Sequence, residues 1–165
     1  MTLIKSISGI RGTIGGETGN SLTPIDIVKF TAAYAAELRR RRPGRESYKV
    51  VIGRDARLSG KMVESIVSGT LVACGINVVD AGLASTPTTE MGVIFENADG
   101  GIILTASHNP KEWNALKLLN EKGEFLNAEE GEAILKVAEK EDFKFYEIDE
   151  IGTVSYKDFT ERHIE

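Results

Sequence analysis

Apolar positions along this chain alternate between short strand-like runs and repeats at helical spacing. Leu3 to Ile7 alternates weakly and reads as a short strand. Thr23-Pro24-Ile25-Asp26 opens a helix: Thr23 supplies a cap, Pro24 fits the first turn, and Asp26 stands where a capping box wants an acid. Ile27, Phe30, Tyr34 and Leu38 mark its buried face, and Pro43-Gly44 lies past its end. Val50-Val51-Ile52 reads as a central strand. A helix from Ser59 to Cys74 follows, capped by Ser59, with Val63, Ile66, Val67 and Leu71 turned inward. Gly75 to Asp80 gives the next strand, and Thr86-Pro87 starts a helix whose expected buried face is Met91, Ile94 and Phe95. Ile102 to Leu104 is a short apolar run typical of a buried strand. Trp113 to Leu119 returns antiparallel to it, because the turn between them is too short for a crossover helix. Asn120 to Gly123 makes a hairpin turn. Asn127 and Glu130 form a capping box for a last helix, with Ile134, Val137 and Ala138 inward. Tyr146 to Val154 is weakly patterned, and the stretch from Tyr156 has Phe159 as its main apolar anchor.

Strands alternating with helices imply an α/β fold: a three-layer α/β/α domain with a mixed, mostly parallel sheet and helices on both faces. A chain of 165 residues is long enough for one core and short for two. There is no internal repeat, no Gly-x-Gly-x-x-Gly fingerprint and no Walker loop, which argues against a nucleotide-binding fold by motif. The net charge of -5, from 20 basic and 25 acidic residues, disfavours nucleic acid as a partner. The run Arg39 to Arg42 is read as a solvated helix end, where cations suit the dipole, with phosphate binding as the minority reading. Cys74, the only cysteine, falls on an apolar repeat and reads as core. No apolar run approaches transmembrane length and the first residues form no signal segment, so no membrane partner and a cytoplasmic location are expected.

Chemistry concentrates where the Ile102–Leu104 run stops. Ser107 and His108 stand on a loop at the C-terminal end of a strand, the usual place for a site in an open α/β sheet. A serine hydroxyl can attack or carry a phosphoryl group, and a histidine can orient it or move protons. Asn109-Pro110 would fix the turn. On composition alone a polar turn with a chance serine and histidine accounts for the same residues. Glycines around Arg11 read as a hairpin turn that leaves its guanidinium exposed, either as surface or aimed at phosphate. Arg54, Asp55 and Arg57 lie just past a strand, either shaping a loop or making ordinary surface pairs. Lys117, between Leu116 and Leu118, is a snorkelling strand residue or, facing a cleft, a phosphate contact or proton carrier.

Thr105-Ala106-Ser107-His108-Asn109-Pro110 resembles the active-serine loop of the α-D-phosphohexomutases, the family of phosphoglucomutase, phosphomannomutase and phosphoglucosamine mutase. Gly9-Ile10-Arg11-Gly12, Gly53-Arg54-Asp55-Ala56-Arg57-Leu58-Ser59-Gly60, the loop ending in Thr86-Pro87, and Trp113-Asn114 followed by Lys117 match as well. The likeness covers essentially the whole chain but only the first, N-terminal domain of the family's four. It implies a phosphoryl-carrying Ser107, with His108, Lys117 and Arg11 as catalytic partners. It casts Gly12, Arg54, Asp55, Arg57, Asn109 and Asn114 as support. The implied reaction interconverts hexose 1-phosphate and 6-phosphate through a bisphosphate intermediate, primed by a sugar bisphosphate. Mg2+ would take one ligand from phosphate on Ser107 and the rest from aspartates of a second domain. The expected partners are the hexose phosphate and the remaining domains of the parent chain. Residues 1–145 would be the domain itself, and 146–165 an extension or shortened linker. The chain alone is expected to fold without catalysing. Two other readings are a self-contained phosphate-binding module and a non-catalytic structural domain. Two positions depart from the family pattern. Ser8-Gly9 stands where many members have an aspartate, and Ala115 replaces a glycine, which implies a negative φ there.

Overall fold

The computed structural model describes residues 1–7, 9–106 and 108–161. Seven strands form one sheet: β1 (Ile4–Ser6), β2 (Gly9–Thr13), β3 (Tyr48–Arg54), β4 (Ile76–Leu83), β5 (Gly100–Leu104), β6 (Trp113–Leu119) and β7 (Val154–Tyr156). Among the described residues four α-helices accompany them: α1 (Pro24–Arg41), α2 (Gly60–Ala73), α3 (Thr86–Phe95) and α4 (Ala128–Lys140). Across the sheet the order is β1-β2-β6-β5-β3-β4-β7. The sheet is mixed, as expected. Its parallel part is β5, β3, β4 and β7, whereas β1, β2, β6 and β5 are joined antiparallel. The expected parallel majority is therefore an even division. The cause is the β1–β2 segment, which adds to β6 as a hairpin instead of turning away.

Two cores form on opposite faces. Ile27, Phe30 and Leu38 of α1, Val63, Val67 and Leu71 of α2, and Ile134 and Ala138 of α4 pack with Val50, Ile52, Ile102, Leu104, Leu116 and Leu118 of the sheet. Burying such aliphatic side chains contributes about 1.5–3 kcal/mol each. The α1 capping box forms as its sequence predicts: Thr23 N donates to Asp26 Oδ2 at 3.1 Å, and Asp26 N to Thr23 Oγ1 at 3.4 Å. Asn127 and Glu130 do the same for α4.

The other face is covered by α3 with Phe159 beside it, and the inward residues of α3 differ from expectation. Thr88, Thr89, Gly92 and Val93 are buried, Ile94 is exposed, and Met91 and Phe95 are half-buried. The sheet dictates this choice. Gly53 leaves no room for a side chain opposite Thr89, so the helix seats on small residues and turns its bulky ones aside. Ser85, not Thr86, caps it, accepting from Thr88 N at 3.2 Å.

Arg11 is on a strand and not in a turn, because the chain reverses before Gly9. Gly9 is needed for close approach: a Cβ there would overlap the Leu116 carbonyl oxygen of β6. The arginine run after α1 is likewise more engaged than a solvated helix end. Arg39 donates to Cys74 O at 3.1 Å and Gly75 O at 3.0 Å, and it lies between the rings of Tyr48 and Tyr146 at 4.6 and 4.5 Å. Arg41 pairs with Glu130 at 3.2 Å and Arg42 with Asp99 at 2.8 Å.

Among residues 146–161, β7 pairs with the edge of β4, and Phe159 is 3% exposed, packed against Phe95 and Gly92. Lys157 Nζ reaches Glu96 at 2.9 Å, beside α3. These contacts belong to the second core, so Phe159→Ala is expected to lower unfolding free energy by about 3 kcal/mol. Urea denaturation checks this. An unchanged midpoint would mean that the segment is a detachable extension.

Candidate active site

The parallel strands β3, β4 and β5 end side by side, and the loops after them interlock. Asp55 N donates to Leu104 O at 3.1 Å, and Ala84 N to Arg54 O at 3.0 Å. The β5–β6 loop is held mostly by one side chain. Arg57 donates from Nη1 to Pro110 O at 2.8 Å and Trp113 O at 3.2 Å, and from Nη2 to Asn109 O at 2.8 Å. A planar guanidinium presents its donors at fixed angles, which suits three carbonyls of one turn. Asp55 aligns this arginine. Its Oδ1 accepts from Arg57 N at 3.2 Å, and its Oδ2 lies 3.4 Å from Arg57 Nε. The same carboxylate accepts from Thr105 Oγ1 at 2.6 Å, at the start of the loop.

The return strand is pinned from below. Asn114 is fully buried; it donates to Ser59 Oγ at 2.9 Å and accepts from Ala115 N at 2.8 Å. Ser59 was expected to cap α2 but makes no side-chain cap there, because its hydroxyl serves Asn114. Ala115 keeps an ordinary negative φ on β6, as its replacement of glycine implies. Within the loop Asn109 N donates to Ala106 O at 2.7 Å, and Trp113 N to Pro110 O at 3.0 Å.

Ser107 lies outside the described residues, as does Ser8. His108 is exposed on the loop and Asn109 is half-buried. Arg11 pairs with Ala115, Gly12 with Asn114, and Gly9 with Lys117 across the β2–β6 ladder. Directly opposed residues of an antiparallel pair share a face, and alternate residues do too. Arg11 and Lys117 therefore project from one face, while Ile10, Leu116 and Leu118 enter the core on the other. Both cations sit within strands, not at turns or strand ends. They line an open pocket of about 200 Å3 with Ile4, Ser6, Gly9 and Ala115. Neither makes a hydrogen bond or ion pair among the described residues, in contrast to Arg54 and Arg57. Ile103, opposite Lys117, packs under α3, so this pocket is on the α3 side of the sheet, beyond the helix.

A pocket of this size is smaller than the ~300 Å3 usual for whole small-molecule ligands. With two free cations it suits an anionic group such as a phosphate. Among the described residues no group of three or more His, Cys, Asp or Glu is placed to hold a metal ion. The residues present do not make a Mg2+ site by themselves. No helix of the described residues is long and apolar enough to cross a membrane.

Four participants escaped the sequence reading in these roles: Thr105 as donor to Asp55, Ser59 as acceptor from Asn114, and Glu64 and Asp80 behind Arg54. Glu64 carried a usable signal, since it stands next to Val63 and one turn before Val67 on the inward side of α2. Arg57→Lys is expected to cost about 2 kcal/mol or more of unfolding free energy, because an ammonium cannot span the three carbonyls. Equal stability in chemical denaturation would show that the guanidinium fork is dispensable.

The family profile described as phosphoglucomutase/phosphomannomutase, alpha/beta/alpha domain I, matches residues 3–145. A phosphoglucomutase/phosphomannomutase of Thermococcus kodakarensis is 37% identical over 156 residues, 93% of this chain and 34% of that protein. A phosphoglucosamine/phosphogalactosamine mutase of Sulfurisphaera tokodaii is 36% identical over 115 residues, covering 70% of this chain and 23% of that one. The solved structure of a phosphoglucomutase/phosphomannomutase family protein from Burkholderia thailandensis superposes with a TM-score of 0.76 at 23% identity, covering 96% of this chain and 34% of the other. At that identity the likeness shows the fold. The chain thus spans between a quarter and a third of the length of these relatives. Sequence profile, relatives and fold agree, and the chain belongs to the phosphoglucomutase/phosphomannomutase family as its α/β/α domain I.

Proposed function

We propose that this chain is the phosphoryl-carrying domain of a hexose-phosphate mutase, with Ser107 as the carrier. The observation that carries the reading is the pair of uncommitted cations, Arg11 and Lys117, on the sheet face next to the β6 strand that follows the serine loop. In the first half-reaction a sugar hydroxyl oxygen bonds to phosphorus as the bond from phosphorus to Ser107 Oγ breaks. Lys117 exchanges protons in this step: its ammonium gives one to the departing Ser107 Oγ and takes up the one that the sugar hydroxyl releases. The bisphosphorylated sugar reorients, and its other phosphoryl group returns to Ser107 Oγ. Arg11 offsets charge on the transferring group, and His108 polarises it from the loop. Positioning and charge neutralisation are what phosphoryl transfer chiefly requires. Arg54, Asp55, Arg57, Asn109, Asn114 and Gly12 act by holding the loop and the β2–β6 approach.

Mg2+, in this reading, supplies further charge neutralisation, and its carboxylate ligands come from elsewhere in the parent protein. The remaining domains of that protein also grip the distal phosphate and select the sugar. Residues 1–145 make up the family domain, and 146–165 lead toward a second domain. A sugar bisphosphate primes the serine, and the setting is the cytoplasm.

Intact-mass analysis and peptide mapping of the parent protein after exposure to glucose 1,6-bisphosphate are expected to place one phosphate on Ser107. Phosphate on another serine, with Ser107→Ala fully active, would overturn the assignment.

The 165-residue chain alone is expected to give no sustained conversion of hexose 1-phosphate to 6-phosphate, even with Mg2+ and primer. Remote binding energy is lost with the other domains, and that costs rate as well as affinity. Circular dichroism would confirm that the chain tested is folded. Turnover abolished by Ser107→Ala would show instead that these residues are a complete enzyme.

A further inference from the structure

Behind the serine loop runs a chain of polar contacts that joins three strand ends. On β4, Asp80 is 3% exposed, and its Oδ1 accepts from Gly82 N at 2.8 Å, fixing the β4–α3 connection. Glu64 of α2 lies against Asp80. Burial, and then this neighbouring acid, push the Glu64 carboxyl up. Glu64 Oε2 in turn accepts from Arg54 Nε at 2.8 Å. Arg54 Nη1 donates to Asp55 O at 3.2 Å. Asp55 then holds Arg57 and Thr105, and Arg57 holds the carbonyls of Asn109, Pro110 and Trp113. Arg54 has little freedom to do otherwise. Its side chain is 12% exposed and lies against Gly60, where a Cβ would come within 3.4 Å of Nη1.

We propose that Glu64 is a positioning residue: through Arg54 it fixes the Asp55–Arg57 turn, and through that turn the loop that carries His108. Glu64 touches neither the loop nor the Arg11–Lys117 pocket, and its effect passes entirely through Arg54. Loss of the Glu64 side-chain acceptor frees Arg54 from α2, and the Asp55 carbonyl loses its fixed donor. The turn then loosens while the core beneath α2 remains. The loop-holding role stands on these contacts alone. Its consequence for turnover rests on the reading of Ser107 as phosphoryl carrier.

Amide hydrogen exchange on the 165-residue chain tests the loop-holding role. The protected amides of Asp55, Thr105, Asn109 and Trp113 report the turn and the loop. Glu64→Ala is expected to speed their exchange about tenfold or more while α4 amides keep their rates. Glu64→Gln, which keeps an acceptor for Arg54 and a donor for Asp80, is expected to stay near wild type. Should the alanine variant fail to fold, Glu64→Asp, one methylene shorter, breaks the same contact and carries the same comparison. Unchanged loop exchange in a folded variant, or equal acceleration everywhere including α4, would overturn the proposal.

In the parent enzyme the same alanine change is expected to lower kcat by up to about 100-fold with KM little changed, and the glutamine to restore it. A loop loosened in exchange but turning over normally would overturn the catalytic consequence. A wild-type parent without mutase activity would count against the carrier reading and leave the exchange result standing.

Discussion

A chain that leaves a buried strand and turns sharply presents carbonyl groups that no ladder satisfies, and here one guanidinium answers three of them. Arg57 sits between two loops that are far apart in sequence and makes their spacing a single quantity. Asp55 makes the arrangement rigid by binding Arg57 and Thr105 with the same carboxylate. Hydrogen bonds from a charged donor are stronger than neutral ones, so three from one guanidinium favour a single conformation of the loop. The exposed position of His108 is a consequence, since the backbone on its C-terminal side is tied down.

The sheet then determines which charges share a face. The antiparallel register of β2 and β6 sets Arg11 beside Lys117 on the side that α3 leaves uncovered. A shift of β2 by one residue would send Arg11 toward the core and bring Ile10 out. Gly9 secures the register, because only a glycine lets β2 come this close to the Leu116 carbonyl. Among the described residues the acidic chain therefore leaves Arg11 and Lys117 without a side-chain partner at one pocket, while Arg39, Arg41 and Arg42 are spent on tyrosine rings, carbonyls and carboxylates at the helix end.

Much of this was legible in the residues. The capping boxes at Thr23 and Asn127, the inward faces of α1 and α2, and the antiparallel return of β6 followed from local spacing. Local spacing could not reveal features that depended on distant partners. The seating of α3 on Thr89 and Gly92 was hidden, because hydrophobicity pointed to Met91 and Ile94 and the deciding residue, Gly53, lies on another element. Arg11 read as a turn residue because glycine favours turns, whereas Gly9 answers a steric demand from β6. The run from Arg39 read as solvated because its partners, Tyr48, Tyr146, Glu130 and Asp99, are spread over a hundred positions. At the site the motif residues were identifiable by resemblance, but Thr105, Ser59, Glu64 and Asp80 became visible only once three loops were brought together.

The central claim is that Arg11 and Lys117 form an anion site on the shared face of β2 and β6. Titration of the isotopically labelled chain with inorganic phosphate, followed by NMR, tests it most directly. The account predicts saturable shifts centred on Gly9, Arg11, Ala115 and Lys117, reduced by added salt and lost in the Arg11→Met/Lys117→Met double variant. Shifts that spare these residues and map instead to the arginines after α1 would contradict it.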